Sequence, residues 1–405
     1  MKIFVTISFN KSLPDYEGFS LSKVIDESVK ILKRKQNENI YYKVISRHRK
    51  HLSNNRHYHY INVDNYYLKL LSIIIKVMFN RLVLKRYFDS SSRENIKYIL
   101  SLATFILFNI KKSDLILFHG SYKVLILFSK IFKNYNFIYY RHGGNMMNIP
   151  KNDLEDIISF CRGRIIHVSE STYRQIKVAR KKSTFIHNGL NDNQFKSFRL
   201  NRNRIRSQIR KINNLDDHDL AFFMGGIIWK PKGYHLAINA LSKYKNKQSA
   251  LFIAGDLENA EKSYIDELTN LSKEKNVKTI FLGRLNSKAL YKHMIACDIG
   301  LQLSDTNNCV EGISIIILEM MFLGLPVICS QSGGNCEIIK DKYSGVVVKN
   351  NEFESQLENS IRLLNESVTR KQIGINGLNT VQKRFSSINM TNKLLNYLQN
   401  TSTYH

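Results

Sequence analysis

The sequence predicts an α/β protein of two doubly wound domains, each a parallel sheet with helices on both faces. Three observations carry this expectation. Short runs dense in Ile, Val, Leu and Phe recur along the 405 residues, separated by windows of helical period. Most of those runs lack polar alternation, which marks strands covered on both faces. A polar, basic stretch without strand signals, residues 196–219, divides the chain into halves of about 200 residues, each within the size range of one domain.

In chain order, KIFVTIS at residues 2–8 reads as a buried first strand, followed by a helix over Ser20–Lys35. The further strands of the first half are YYKVIS, DLILFHG, NFIYYRHG, RIIHVS and STFIHNG. Those of the second half are LAFFMGG, ALFIAGD, KTIFLG, DIGLQLS, LPVICS and GVVV. Between them lie helical windows at Gly233–Tyr244, Glu261–Glu274, Ser287–Cys297 and Ile315–Leu323, and a last helix covers about Ile388–Asn400. Strand, helix, strand in repetition builds parallel sheets through right-handed crossovers. Two such domains facing each other place a ligand cleft where the C-terminal ends of their strands meet.

Composition narrows the class. Hydrophobic residues at 43% and charged residues at 23% exclude a disordered or fibrous chain. The formal charge is +28, and residues 1–200 hold +21 of it. So basic a first half suggests a polyanionic partner: nucleic acid, anionic lipid or a phosphorylated substrate. Residues 31–60 alone hold eight Lys and Arg against one Glu, with His48, His51, His57 and His59 interleaved with Tyr. No nucleic-acid motif accompanies the charge, so nucleic acid is not an expected partner. Five cysteines, at 161, 297, 309, 329 and 336, form no close pair, which points to a reducing cytosol rather than a disulfide framework or zinc site. The N-terminal segment lacks the long apolar stretch and small-residue cleavage site of a signal peptide. No membrane span is expected either. Tyr98–Ile110 would make only about 20 Å of helix against a bilayer core of about 30 Å. Tyr67–Phe79, interrupted by Lys69 and Lys76, reads as a packed helix or one lying on an anionic membrane surface.

The sharpest chemical constellation is Glu311-Gly-Ile-Ser-Ile-Ile-Ile-Leu-Glu319. A helix beginning near Ser314 puts Glu319 in its second turn and leaves Glu311 on the loop feeding its N-terminus. That terminus presents N–H groups and a positive dipole end, an anion site in waiting. Gly312 permits close backbone approach to a ligand. A carboxylate such as Glu319 can accept two hydrogen bonds from a vicinal diol. The bland alternative is a solvated loop Glu and an ordinary helix-surface Glu.

Residues 311–345, EGISIIILEMMFLGLPVICSQSGGNCEIIKDKYSG, resemble the signature of retaining nucleotide-sugar transferases of glycosyltransferase family 4: a Glu-x7-Glu pair, G-x-P-V-I, and G-G-x-x-E. Other features recur in order: Lys232-Gly233 opening a helix after LAFFMGG, GDLE after ALFIA, FLGRL before a helix, and upstream VSESTYRQI and HNGLNDNQF. The resemblance spans about residues 115–350. It implies the GT-B fold, with an acceptor-binding domain over 1–200, a nucleotide-sugar domain over 201–385 and a final helix, 386–405, crossing back to the first domain. It implies that Glu319 holds the donor ribose, that Glu311 with the backbone of Gly312, Ile313 and Ser314 holds the transferred sugar and phosphates, and that Lys232 lies on the diphosphate. His142, in Arg141-His142-Gly143-Gly144 at a strand end, matches the family's His-Gly near the reacting sugar and is the candidate for polarising it. His119-Gly120 is a weaker candidate of the same form. Asn188-Gly189 matches the family's interdomain turn. Gly18, in the first strand-to-helix loop, is the candidate for bringing backbone N–H groups to the phosphates.

One position departs from the family, whose members commonly carry Arg where this chain has Ile227. Either Lys230 takes its place, another basic residue reaches in, or activity is reduced. Breaking a sugar–phosphate bond builds negative charge on the leaving oxygen, which a Lys and a helix N-terminus stabilise most in the transition state. No Asp or Glu in the first-domain motifs offers itself as a nucleophile, so same-face substitution is expected. No Asp-x-Asp pair marks a metal-held diphosphate, so neither metal nor cofactor is expected. The expectation is therefore a metal-independent, retaining hexosyltransferase at the cytoplasmic face of a membrane. It would move a sugar from a UDP- or GDP-sugar to a glycan or lipid-linked acceptor. The alternatives are a sugar-nucleotide epimerase and a non-catalytic partner subunit.

Overall fold

The computed structural model describes residues 2–7, 20–34, 41–47, 58–61, 93–119, 121–142, 149–175, 182–244, 249–305, 311–349 and 352–402. Gly18, Gly143, Gly144, Cys309 and the run 67–79 lie outside the described residues. The chain forms two compact units. One holds the first strand, the described parts of Leu21–Ile186 and the chain from Thr391 onward; the other holds His187–Met390.

The first unit is a parallel sheet of seven strands: β1 (Lys2–Ile7), β2 (Tyr41–Arg47), β3 (Tyr58–Ile61), β4 (Leu115–His119), β5 (Asn136–Arg141), β6 (Ile165–His167) and β7 (Thr184–Phe185). Their order is β3-β2-β1-β4-β5-β6-β7, so the direction of winding reverses between β1 and β4. Every residue of β4 and β5 is buried, as their unbroken apolar runs require. Phe118, Phe128, Phe132 and Phe137 pack edge-on or tilted with centroids 5.2–6.4 Å apart, beneath helices Arg93–Asn109, Tyr122–Ile131 and Lys151–Phe160. β3 escapes the sequence pattern: YHYI has no aliphatic run, as suits a strand at the sheet's edge.

The second unit is a parallel sheet of six strands: β8 (Leu220–Gly225), β9 (Ser249–Ala254), β10 (Lys278–Gly283), β11 (Ile299–Gln302), β12 (Val327–Ser330) and β13 (Val346–Val348). The order β10-β9-β8-β11-β12-β13 reverses between β8 and β11. Gly300 has no side chain because Met320, on helix Ile315–Phe322, occupies the space a Cβ would need. The fold is therefore two parallel-sheet α/β domains of doubly wound type. The helices Tyr234–Ser242, Lys262–Glu274, Ser287–Ala296 and Ile315–Phe322 match the sequence windows to within two residues at each end. Among the described residues no helix is long and apolar enough to cross a membrane, and Cys161, Cys297, Cys329 and Cys336 are free.

The basic stretch at 196–219 is helical, not extended linker. It holds part of helix Asn193–Leu200 and the whole of Arg202–Ile212, whose arginines reach the second sheet's helices. Arg199 donates to the Phe322 carbonyl at 2.7 Å and Arg202 to that of Leu323, at the C-terminal end of Ile315–Phe322, where a cation is favoured. Arg206 and Arg210 pair with Asp298 at 2.9 and 3.3 Å. Arg210 is fully buried and also donates to the carbonyls of Asp216 and Asp219. The stretch lacks strand signals because its task is to bring four cations to carbonyls and one carboxylate. Removing that carboxylate leaves Arg210 buried without its counter-charge. Asp298→Ala is therefore expected to lower stability by about 3 kcal/mol, read as a fall in the urea midpoint.

Candidate functional site

In a doubly wound sheet, ligands bind beyond the strands' C-terminal ends where the strand order reverses. In the second unit that point lies between β8 and β11. The loop after β8 ends in a single 3-10 turn, Lys230–Lys232, closed by Gly233 at φ 73°. Any side chain on Gly233 would collide with the carbonyl oxygen of Leu303, so the turn presses onto the end of β11. The Asp305 N–H donates to the Pro231 carbonyl at 2.7 Å and ties the two loops together.

This contact brings Lys232 to Glu311. Its ammonium donates to Glu311 Oε1, and both side chains are about 16% exposed. The same oxygen accepts from Ser304 Oγ at 2.9 Å and Gln302 Nε2 at 3.4 Å. The main chain of Glu311 is fixed as well: its N–H donates to Ser332 Oγ at 3.3 Å and its carbonyl accepts from the Gly334 N–H at 3.0 Å. Loops after β8, β11 and β12 thus converge on one residue. Lys232 and Glu311, 79 residues apart in the sequence, are in direct contact.

Gly312, Ile313 and Ser314 follow, all buried. Ser314 is the N-cap of Ile315–Phe322, with extended backbone and no hydrogen bond from its hydroxyl into the first turn. The first N–H groups of such a helix have no intrahelical partner. Glu319 sits in the second turn and is fully buried, its Oε1 accepting from Tyr291 Oη at 3.0 Å. Burial and the adjacent Glu319 charge push the Tyr291 phenol far above its usual range, so it stays a donor. Glu319 therefore has a structural partner that the sequence pattern did not reveal. Lys230, a candidate to replace the missing arginine, has its ammonium on Glu267 at 3.0 and 3.1 Å in an exposed ion pair. Ile227 itself is 72% exposed. The chain's one Asp-x-Asp, Asp217-His218-Asp219, precedes β8 at the opposite edge of the sheet and closes a turn, Asp219 accepting from the Asp216 N–H at 2.8 Å. Glu337 of the G-G-x-x-E run bonds His187 at 2.8 Å. The Asn188-Gly189 turn is tied down by Gly189 N–H to Met390 Sδ (3.2 Å) and Leu190 N–H to the Phe385 carbonyl (2.9 Å).

In the first unit the reversal lies between β1 and β4. His119 ends β4, and His142 follows β5. His119 Nδ1 and His142 Nε2 are 2.8 Å apart, and the rings stack at 5.0 Å with Tyr140 4.6 Å from His142. Burial holds the His142 pKa down to about 3 and that of His119 well below its usual value. Both rings are neutral at pH 7, so one N–H bridges them. The two histidines weighed separately in the sequence form one unit. His167, ending β6, is likewise fully buried and held down to about 3.

Residues 205–380 match the family Glycosyl transferases group 1. Among curated proteins, the chain is 26% identical over 242 residues to the capsular polysaccharide biosynthesis glycosyltransferase CapM of Staphylococcus aureus, covering 58% of this chain and 60% of that protein. It is 24% identical over 327 residues to the alpha-1,3/1,6-mannosyltransferase ALG2 of Dictyostelium discoideum, covering 72% and 76%. The match to CapM thus spans less than two thirds of that relative's length. Among solved structures, a glycosyltransferase from Rickettsia africae superposes at TM-score 0.72 with 18% identity over 98% of both chains. Anabaena HepE in complex with UDP and glucose superposes at 0.68 with 18% identity, over 99% of this chain and 100% of that one. The likeness to these structures establishes the GT-B fold.

The buried histidines link stability to acid. The unfolded chain takes up protons below its histidine pKa of about 6.5, whereas the folded chain does not until about 3, so stability is lost as pH falls between those values. Unfolding free energy should drop by about 1.4 kcal/mol per pH unit for each such histidine, and His142→Asn should flatten the slope measured by urea titration from pH 7 to 4.5.

Proposed function

We propose that this chain is a retaining, metal-independent hexosyltransferase of family 4 that moves a sugar from a UDP- or GDP-sugar to a surface-polysaccharide acceptor carried on a lipid. The observation that supports it is the contact between Lys232 and Glu311 at the reversal point of the second sheet, inside the region matched to group 1 glycosyl transferases.

Without donor, Lys232 and Glu311 satisfy each other, which holds a cation ready at the strand ends. When the nucleotide diphosphate enters, Lys232 turns to the phosphate and Glu311 is released to accept hydroxyls of the sugar. The backbone N–H groups at Ser314 and the start of Ile315–Phe322 add the positive end of a helix dipole. In the reaction the bond from the sugar carbon to the phosphate oxygen breaks while the acceptor oxygen bonds to the same carbon on the same face. The acceptor's proton passes to the departing phosphate oxygen. Lys232 stabilises the charge on that oxygen most at the transition state. The neutral His142, oriented by His119, offers a hydrogen bond to the sugar without adding charge.

Glu319 is the proposed acceptor for the ribose hydroxyls, with Tyr291 fixing its carboxylate. Because Glu319 is covered in the donor-free chain, the ribose reaches it only by displacing the atoms above it. The lipid-linked acceptor and peripheral docking at an anionic membrane draw their support from the +21 charge of residues 1–200. One observation favours a second reading, a non-catalytic partner subunit: Ile227 and the engagement of Lys230 leave this loop with one cation at the site.

Incubation with a panel of nucleotide sugars should release UDP or GDP from one donor. A non-catalytic subunit would bind without release, and an epimerase would convert the sugar without an acceptor. Lys232→Met should cut kcat about 10²–10³-fold; an undiminished kcat would remove Lys232 from the diphosphate. Glu319→Gln keeps the size and a Tyr291 partner but loses the charge that accepts a diol. Calorimetry should then show nucleotide binding weakened about tenfold, roughly 1.4 kcal/mol, and unchanged affinity would leave Glu319 a purely structural residue.

A further inference from the structure

Arg141 is the anomaly of the first unit. It is the last residue of β5, 3% exposed, and its Nη1 and Nη2 have no hydrogen-bond partner among the described residues. His167, the last residue of β6, is fully buried, and neither Nδ1 nor Nε2 has a partner among the described residues either. The two are register partners on adjacent parallel strands, so their side chains leave the same face of the sheet. Tyr140 stacks on both His119 and His142, so the histidine pair belongs to the other face, by strand alternation. Arg141 and His167 are therefore separate from that pair.

Buried polar groups are almost always hydrogen-bonded, and buried charges almost always paired. Among the described residues no carboxylate acts on Arg141; the neighbouring group that favours its charge is the Tyr139 phenol, and burial lowers its pKa to about 10. A guanidinium and an imidazole, both orphaned, side by side at the C-terminal edge of a doubly wound sheet, share one missing partner. We propose that Arg141 and His167 form a buried oxyanion subsite and that its ligand is a phosphate group. The two Nη groups present a fork for two oxygens, and the neutral imidazole supplies a third N–H. A tetrahedral phosphate can accept from all three, whereas a carboxylate has two oxygens. The basic excess of the first half draws such anions in. The subsite lies in the unit that does not carry Lys232, so under the proposed reaction it would hold a phosphate of the acceptor. That last step alone rests on the glycosyl-transfer reading.

The test uses the full chain without any nucleotide sugar, with inorganic phosphate as the probe and sodium chloride matching ionic strength. In ¹⁵N-histidine-labelled protein, phosphate should move the His167 ring resonances along one saturable curve and raise the Tm in parallel. Arg141→Met, which replaces the unpaired charge by an apolar side chain of similar length, should fold with an equal or higher Tm in phosphate-free buffer and lose both responses. Arg141→Lys, which keeps charge but not the fork, should weaken binding at least tenfold. A His167 signal indifferent to phosphate in the wild-type chain would overturn the proposal, whatever the variants do. So would an undiminished response in Arg141→Met. Acetate acting as strongly as phosphate would overturn the phosphate assignment. Failure of nucleotide release with these responses intact would sink glycosyl transfer and leave the subsite standing.

Discussion

The second unit depends on one close approach: the turn ending at Gly233 lies directly on the carbonyl of Leu303. Only a residue without Cβ, at positive φ, permits it. Because β8 and β11 are neighbours with reversed winding, the loops leaving them diverge unless something holds them together. The Gly233 contact and the Asp305–Pro231 hydrogen bond do so. Lys232 then has one direction to go, and there stands the carboxylate of Glu311, held by Ser304 and Gln302 on a main chain fixed by Ser332 and Gly334. A cation at a strand end would otherwise be a mobile, hydrated lysine. Here its position is set by backbone packing, and side-chain entropy is lost on folding rather than on binding.

The arginines of 199–210 act on the same helix from its other end. Arg199 and Arg202 take the carbonyls at the C-terminus of Ile315–Phe322, so the helix whose N-terminus faces the candidate site is held at both ends. Sequence composition makes this segment look like a polar divider. The reason is physical: arginines spaced to line one face, each satisfied by a carbonyl or by Asp298, carry no apolar signal, although Arg210 is as buried as any phenylalanine. Composition reports solvent preference in isolation and is blind to a guanidinium with a dedicated acceptor.

Much of the fold was legible because parallel strands covered on both faces read as apolar-rich runs, and twelve of the thirteen described strands lie within runs the sequence marks in this way. The exception, β3, is an edge strand of alternating Tyr and His. At the candidate site, Lys232, Glu311 and the start of the helix at Ser314 were legible from motif and helix-start chemistry. Their supports were not. Tyr291 under Glu319, and Gln302 and Ser304 under Glu311, are distant or ordinary in sequence and acquire meaning only when β11 and helix Ser287–Ala296 lie beside them. The pairing of His119 with His142 is similar: each looked like a lone strand-end histidine, and only the register of β4 with β5 brings them to hydrogen-bond distance.

The two sheets solve the same topological problem with opposite electrostatics. At the reversal point of the second, Lys232 and Glu311 form a partly exposed ion pair. Around that of the first, the described histidines are neutral, held far from protonation by burial, and Arg141 is the cation beside them. A neutral imidazole pair can relay orientation through its single bridging N–H but cannot take a proton near pH 7 without paying the full desolvation of a cation. Under the proposed reaction, the described histidines on that side are thus disfavoured as general bases, and the leaving phosphate oxygen is the proposed destination of the acceptor's proton. That distribution of charge among the described residues supports the same-face substitution proposed above.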